Sequence, residues 1–444
     1  MSKFNDAVEK HSKLIYDAQN YIWANPETGY REIKTSRYME EKFEALGYKL
    51  TKAGDIPGFY TVIDTGRPGP EVLVMGELDS LICPEHPDAD SKTGAVHCCG
   101  HSAQCAALLG LAAALKEPGI LDEWSGRIRL CAVPAEELIE IEYRTELKKK
   151  GIIKYSGGKG EFLYRGYFDG VDLAFMVHTS VGEKFVVGRG SVGCLAKRVI
   201  YKGVSAHAGG SPWHGCNTLY AATQGLSAIN AIRETFKEPD IIRVHPIITK
   251  GGGAVNAIPD EVIIESYVRG KSFDAMKAEN KKVNRALCGA ALSLGANIEI
   301  NDTPGCGPLR NDTNMMNVAY EGALCVPDAP VGRSEGVGSG STDMGDLCWL
   351  MPVVHPYAPG AVGTSHGSDY YIAKPELACV GSAKMQMNML DILLKDDAKR
   401  AKKTVEEFEP MFATKEEYFK YVDEFVSTGD RITYNEDSTA TVKL

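Results

Sequence analysis

The sequence lacks the features that would place it in a membrane or on nucleic acid. None of its segments approaches the roughly 18 consecutive apolar residues that a membrane-spanning helix needs. Residues 1–6 carry no apolar signal core and open a charged amphipathic helix instead. The sequence also has fewer basic than acidic residues: 49 Lys and Arg against 59 Asp and Glu, which gives a formal net charge of −10. We therefore expect a cytoplasmic protein with no nucleic-acid or membrane partner.

The 12 cysteines would allow disulfides in a secreted protein. However, Cys131, Cys288 and Cys379 lie in apolar runs, where reduced, buried thiols are the simpler interpretation. Reduced cysteines agree with the expectation of a cytoplasmic protein.

The length and the patterning of the chain indicate two domains. At 444 residues it exceeds one typical hydrophobic core. Up to about residue 188, helices alternate with short apolar strands such as 71–76 and 126–133, which predicts a largely parallel sheet. From residue 189 to 304 the strands become longer and surround an amphipathic helix at 273–294.

We predict an α/β protein in which a catalytic domain carries an insert. Residues 1–188 plus 305–444 would form the metal-binding catalytic domain, built on a mostly parallel sheet. Residues 189–304 would form an inserted α+β domain. The polar segment 138–165 is either a flap over the active site or a solvated excursion.

Two adjacent carboxylates, Glu136 and Glu137, follow the apolar run 126–133. The end of a strand is where α/β enzymes place their chemistry. If one of the two carboxylates binds a metal, the other is free to move a proton from metal-bound water. Taken alone, such a pair more often marks a solvated turn.

A Cys-x-His pair precedes a helix of small residues. Cys99 and His101 would lie at the N-terminus of that helix, with Ser102 as its cap, where the helix dipole favours a thiolate. Nitrogen and sulfur ligands suit zinc or a similar transition metal. Because Cys98 and Cys99 cannot face the same way on an extended segment, we select Cys99. A buried, inert cysteine is the alternative.

Two histidines extend this set. His178 ends a short apolar strand, and His366 lies in a glycine-rich loop that allows close approach to a ligand. Five donors result, which is more than one tetrahedral metal needs. They suit two metals about 3.5–4 Å apart that share a ligand. The five predicted ligands are Cys99, His101, Glu137, His178 and His366.

At this point the sequence resembles a known family, the aminoacylase and carboxypeptidase group of dinuclear metallopeptidases. It looks like the branch of N-acyl-amino-acid amidohydrolases and aminobenzoyl-glutamate hydrolases. The resemblance covers nearly the whole chain, with motifs in the family's order. The motifs that carry it are Asn25-Pro26-Glu27-Thr28-Gly29, Gly76-Glu77-Leu78-Asp79, Cys99-Gly100-His101, Pro134-Ala135-Glu136-Glu137, Gly157-Gly158-Lys159, Ser205-Ala206-His207-Ala208, Asn256-Ala257-Ile258-Pro259 and Ser341-Thr342-Asp343.

The resemblance implies roles for these residues. Cys99 would join two metals, and Glu136 would be the general base and later the acid. Asp79 would orient a histidine ligand. His207 would reach the active site of the partner subunit in a homodimer formed through the inserted lid and dimerisation domain. Asn256 and Arg269 would bind the carbonyl or carboxylate of the substrate.

The chain also departs from the family pattern. Ser102 stands where an Asp is usual, Gln104-Cys105 replaces His-Thr, and Ile82 replaces a proline. The five donors are retained, so we expect a divalent metal, zinc or manganese, with one or two ions per subunit.

These features predict a metal-dependent amidohydrolase that cleaves the amide bond of an N-acyl or N-aroyl amino acid or a dipeptide. A second hypothesis is a metal-dependent hydrolytic deaminase of a small arylamine. A third, from another class, is a non-catalytic small-molecule binding protein. Glu136 argues against the third, because binding alone needs no spare carboxylate beside a ligand carboxylate.

Overall fold

The computed structural model describes residues 2–327 and 329–444, which divide into two compact units. The first unit contains residues 1–190, 309–338 and 342–415, and the second contains 191–308, 339–341 and 416–444. Within the described residues, no helix is long and apolar enough to cross a membrane.

The first unit is built on a six-stranded sheet. Its strands, in spatial order, are Thr51–Lys52, Phe59–Asp64, Arg127–Val133, Glu71–Glu77, Leu173–Phe175 and Val353–Val354. The last four run parallel, and the first two are antiparallel additions at one edge. Glu71–Glu77 is buried along its whole length, as expected for a central parallel strand that is covered on both faces.

A second sheet and a hairpin complete the strands of this unit. The sheet consists of His178–Val181, Phe185–Gly188, Val331–Ser334, Tyr357–Val362 and Tyr371–Ile372, and the hairpin of Leu81–Ile82 and Ala95–Val96. The helices are Lys3–Glu9, Ser12–Trp23, Ile33–Ala45, His101–Ala114, Ile141–Lys149, Gly158–Tyr164, Thr313–Leu324 and Ser382–Glu406, the last with non-helical residues at 395–398. Every residue of His101–Ala114 is buried, since its small side chains pack on all sides.

The second unit is an antiparallel sheet with two long helices. Its sheet strands are Arg243–Val244, Ile247–Lys250, Glu261–Gly270, Gly193–Lys202 and Asn297–Cys306. Its helices Thr218–Ile232 and Phe273–Ser293 pack on each other and on this sheet. The α/β fold class is thereby confirmed, with a mostly parallel sheet in one unit and an α+β arrangement in the other.

The C-terminal residues belong to the second unit, whereas the sequence placed all of 305–444 in the catalytic domain. Two backbone hydrogen bonds between Asp302 and Ser427, and one from Arg431 to Ile298, attach this tail to strand Asn297–Cys306. A hairpin of Ile432–Tyr434 with Ala440–Val442 follows. Because pairing at a sheet edge is made by backbone groups, the pattern of side chains in the sequence does not predict that this tail joins the strand.

Candidate metal centre

The Cys-x-His pair lies where the strand ends of the first unit meet a helix N-terminus. His101 is the first residue of helix His101–Ala114, and Gly100 caps it with a φ of 96°. A Cβ at Gly100 would also lie 2.6 Å from the hydroxyl of Tyr370, so both the conformation and the space require glycine. The sequence predicted Ser102 as the cap. That prediction was wrong, because Ser102 already lies inside the helix.

His178 and the Glu136-Glu137 pair come from strands of two different sheets. His178 begins strand His178–Val181 rather than ending the preceding one, which stops at Phe175. Glu136 and Glu137 follow strand Arg127–Val133 after a turn in which Ala135 has a positive φ of 56°. Such a non-glycine conformation persists only where its surroundings hold it.

Buried partners hold this turn. Glu32, which is fully buried, accepts a hydrogen bond from the backbone N–H of Ala135 at 2.7 Å. Arg144 donates to the backbone carbonyl oxygens of Ser156, at 2.7 Å, and of Glu137. The segment 138–165, left open between a flap and a solvated excursion, therefore contributes a buried arginine that fixes the Glu136-Glu137 backbone.

The structure brings all five predicted ligands together in two groups that share Cys99. Within each group, the potential ligand atoms lie within 4.8 Å of one another. One group is Cys99, His101 and His178, and the other is Cys99, Glu137 and His366.

The distances between donor atoms test whether these groups fit a cation. Two donors bound tetrahedrally to one zinc at about 2.0–2.3 Å lie roughly 3.3–3.8 Å apart. The Cys99 sulfur lies 3.6 Å from His178 Nε2, and Glu137 Oε1 lies 3.3 Å from His366 Nε2. Both spacings fit a shared ion. Glu137 Oε1 is buried without a hydrogen-bond partner among the described residues, which is expected of an atom that binds a metal.

Hydrogen bonds to the opposite ring nitrogens orient His101, which is buried, and His178, which is partly buried. His101 Nδ1 lies 3.0 Å from the backbone oxygen of Asp79 and 3.2 Å from its carboxylate. The other carboxylate oxygen of Asp79 accepts from the backbone N–H of Glu137 at 2.8 Å. His178 Nδ1 lies 2.6 Å from the carbonyl oxygen of Thr179. These contacts leave Nε2 of each ring for a metal.

Glu136 lies close to the donors, and its carboxylate forms a further group with His101 and Glu137 whose potential ligand atoms lie within 4.8 Å of one another. Its Oε2 lies 3.9 Å from His101 Nε2, which is longer than the separation expected for two ligands of one ion. Burial, and then the carboxylates of Glu77, Glu137 and Asp343, raise the pKa of Glu136 well above its usual value. A carboxylate with a raised pKa beside the potential metal ligands suits proton transfer.

Lys159 is the buried cation of this region, and the sequence analysis gave it no role. Its side chain is completely buried, and its ammonium contacts the carboxylates of Glu77, at 2.5 Å, and Asp343. The Gly157-Gly158-Lys159 motif was the available signal, but the composition of the surrounding segment indicated a polar surface. Helix Gly158–Tyr164 instead buries residues 158–163.

We predict that Lys159→Met lowers the free energy of unfolding of the metal-free protein by about 3–5 kcal/mol, because it leaves two buried carboxylates without their cation. Urea unfolding monitored by circular dichroism measures this change. The control is Lys149→Met, which removes an exposed pair with Glu146 and should shift stability by less than about 1 kcal/mol. Equal effects of the two substitutions would contradict the prediction.

The three remaining predicted residues lie in the second unit. His207 Nδ1 accepts hydrogen bonds from the backbone N–H groups of Gly209 and Gly210, at 3.1 and 2.8 Å. The backbone oxygen of Asn256 accepts from the N–H of Ala208, so His207 and Asn256 occupy neighbouring segments. Arg269 lies on strand Glu261–Gly270 with its guanidinium 5.4 Å from the ring of Tyr267. Their roles stay predictions.

The residues that depart from the family pattern are buried beside the donors. Ser102 and Gln104 lie inside helix His101–Ala114 and are at most 1% exposed. The side-chain polar atoms of both residues find no hydrogen-bond partner within the part of the chain that the structure describes. The Asp and the His that the family pattern has at these two positions are thus replaced by buried side chains without hydrogen-bond partners among the described residues.

Comparison with known proteins agrees with the fold. The family model described as Peptidase family M20/M25/M40 matches residues 73–385. The Xaa-Arg dipeptidase of Mus musculus is 26% identical over 418 residues, 88% of each chain. A p-aminobenzoyl-glutamate hydrolase chain of Escherichia coli (strain K12) is 23% identical over 427 residues, 81% of this chain and 84% of that protein.

Among solved structures, the Bacillus subtilis YXEP protein, described as a dinuclear metal binding peptidase from the M20 family, has a TM-score of 0.63 at 19% identity. The likeness covers 87% of this chain and 99% of that one.

The chain belongs to peptidase family M20/M25/M40. This confirms the resemblance stated from the motifs, and with it the predicted enzyme class, a metal-dependent hydrolase acting on C–N bonds.

Proposed function

We propose that this enzyme cleaves the amide bond of an N-acyl or N-aroyl amino acid or of a dipeptide, with Glu136 as its general base. The observation that carries the proposal is the 3.9 Å gap between Glu136 and His101 Nε2, beside donor pairs spaced for a shared ion. A spare carboxylate next to a ligand carboxylate is what amide hydrolysis needs and what a binding protein does not.

The proposed metal ligands are Cys99, His101, Glu137, His178 and His366. Their nitrogen, sulfur and oxygen donors fit zinc or manganese, and the two groups that share Cys99 favour two ions over one. A bound divalent cation would polarise the substrate carbonyl and lower the pKa of water.

The chain's own residues would do the rest of the chemistry. Asp79 holds His101 in one orientation and, through the backbone of Glu137, ties the ligand carboxylate to the same support. Glu136 accepts the proton of the attacking water and later gives it to the leaving nitrogen, which its raised pKa favours. His207 and Asn256 would donate to the developing oxyanion, and Arg269 would bind the substrate carboxylate.

The substrate class is supported by what the relatives are named for. The two reported relatives are a dipeptidase and a hydrolase of an aroyl amino acid. Both substrates place a scissile amide beside a free carboxylate, which the arginine in the proposed set would pair with.

A substrate screen tests this function. The purified enzyme should release an amino acid from N-acyl, N-aroyl or dipeptide substrates, lose activity after chelation, and recover it with zinc or manganese. Product identification by mass spectrometry is the measurement. Release of ammonia from an arylamine without a second organic product would replace amide cleavage with deamination.

We also propose a cytoplasmic homodimer. All twelve cysteines are unpaired, which supports a reducing compartment. If His207 serves the partner's active site, mixing His207→Ala with Glu136→Gln protein should restore about a quarter of wild-type activity, because half of the random dimers hold one intact site. Activity assays after mixing and exchange of protomers measure this. Absence of recovery would contradict action across the dimer.

A further inference from the structure

Tyr357 lies beside the metal centre and has no part in the proposed mechanism. It is the first residue of strand Tyr357–Val362, which pairs in parallel with His178–Val181 so that Tyr357 lies directly opposite His178. The backbone N–H of His178 donates to the carbonyl oxygen of Pro356 at 2.9 Å. Because residues at the same register of paired strands project from the same face of a sheet, the side chains of Tyr357 and His178 are neighbours.

The ring of Tyr357 packs against histidine rings and keeps part of its surface exposed. Its centroid lies 5.7 Å from the ring of His178 and 5.3 Å from the ring of His355. His355 is buried, whereas Tyr357 is only partly buried. On the metal side, His178 Nε2 lies 3.6 Å from the Cys99 sulfur. The Tyr357 ring therefore borders the proposed cation position and stays accessible to a substrate.

The hydroxyl of Tyr357 is an available donor close to the reacting groups. It makes no hydrogen bond with any residue that the structure describes. Burial, and then the negative charges of Cys99, Glu136 and Glu77, raise the pKa of this hydroxyl to about 12. It therefore keeps its proton at neutral pH and remains an O–H donor. Both a proposed metal ligand and the proposed general base act electrostatically on it.

We propose that Tyr357 is a catalytic residue whose hydroxyl donates a hydrogen bond to the carbonyl oxygen of the substrate as negative charge develops there. A fixed O–H donor stabilises an oxyanion more than it stabilises a neutral carbonyl, so it lowers the barrier to attack. Glu136 moves the proton of the attacking water, while Tyr357 keeps its own proton throughout. This inference rests on the proposed function, because the oxyanion forms only when the carbonyl carbon of an amide is attacked.

The donor would come from the same compact unit as the metal ligands. Cys99, Glu136 and Tyr357 all belong to the first unit, whereas His207 and Asn256 belong to the second. Tyr357 would therefore stabilise the oxyanion with a group whose position relative to the metal ligands is fixed by strand pairing within one unit.

Kinetics of Tyr357→Phe test this role, because the substitution removes only the hydroxyl. We expect kcat on the best substrate of the screen to fall about 10²–10³-fold while KM stays within about threefold of wild type. Tyr38→Phe is the matched control, since Tyr38 is also partly buried and also stacks on another ring, that of Tyr21. The control should match wild type in both constants.

Binding of a phosphinate analogue of the substrate gives a readout that does not depend on turnover. The phosphinate carries a tetrahedral centre with a negatively charged oxygen in place of the amide carbonyl. Calorimetry on zinc-loaded protein should show that Tyr357→Phe weakens this binding by about the same factor as kcat/KM falls, because the analogue and the transition state share the oxyanion. Zinc content by elemental analysis should stay that of wild type, since the hydroxyl is not proposed as a ligand.

The outcomes separate this inference from the proposed function. If wild type cleaves no amide substrate, the proposed function and the Tyr357 role both fail. If wild type is active and Tyr357→Phe keeps kcat within about twofold, the Tyr357 role alone is overturned. Loss of zinc from Tyr357→Phe together with its activity overturns it as well, because packing against His178 then explains the effect.

If Tyr357→Phe does not fold, a crystal structure of zinc-loaded wild type with the phosphinate decides. A Tyr357 hydroxyl within about 3.2 Å of a phosphinate oxygen supports the proposal, and a distance beyond about 4 Å overturns it.

Discussion

Glu136→Gln should lower kcat by about 10²–10⁴-fold while leaving the metal content unchanged. The amide keeps the size of the side chain but can neither accept a proton from the attacking water nor return it to the leaving nitrogen. Because Glu136 lies 3.9 Å from the nearest histidine donor, its loss should not open the ligand set. Steady-state kinetics on the best substrate of the screen, combined with elemental analysis, measures both quantities.

The control for this experiment is Glu142→Gln. Glu142 is an exposed carboxylate on helix Ile141–Lys149, close in sequence to Glu136 but on a surface position. We expect its kcat to stay within about twofold of wild type, since surface substitutions rarely matter. Retained turnover in Glu136→Gln would remove this residue as the base, and loss of metal would reassign it as a ligand.

Cys99→Ala should remove metal from both positions and reduce activity more than about 100-fold. The reason is that Cys99 belongs to both donor groups, whereas each of the other four predicted ligands belongs to only one of them. Metal content by elemental analysis should fall towards zero, and a fall to one ion per protomer would show that the thiol serves a single position.

The adjacent Cys98 offers a matched control. It is fully buried and packs in a small apolar cluster with Leu81, Cys83 and Val96. Burial raises the pKa of both thiols, and what distinguishes Cys98 is that its sulfur belongs to none of the potential ligand groups among the described residues. Cys98→Ala should retain metal and activity. Equal metal loss in the two variants would mean that packing, and not ligation, explains the effect of Cys99→Ala.

The donors could be chosen from the sequence because each lies at an interpretable position. Cys99 and His101 lie at the start of a helix of small residues, and Glu137 follows an apolar strand, and both are places where α/β enzymes position functional side chains. His366 was harder to place, since only its glycine-rich loop indicated a ligand. The structure locates it 3.3 Å from Glu137.

The pairing of Glu77 with Lys159 could not be predicted from the sequence in this way. Glu77 obeys the strand-end argument, but next to Asp79 it looked like part of a single carboxylate motif. Lys159 is separated from Glu77 by 82 positions in sequence and meets it only because helix Gly158–Tyr164 packs inside the first unit. A lysine in a polar segment is normally exposed, and only packing reveals that this one is buried.

The sequence by itself determined the enzyme class and the α/β fold, because hydrophobic periodicity and motif order are written along the chain, and it predicted which residues offer donors to a metal. Only the tertiary structure decided which atoms converge. The 3.6 Å spacing between the Cys99 sulfur and His178 Nε2, and the 3.9 Å spacing between Glu136 and His101 Nε2, arise from separate segments of the chain. Their relative positions depend on packing between distant segments, which no local pattern encodes.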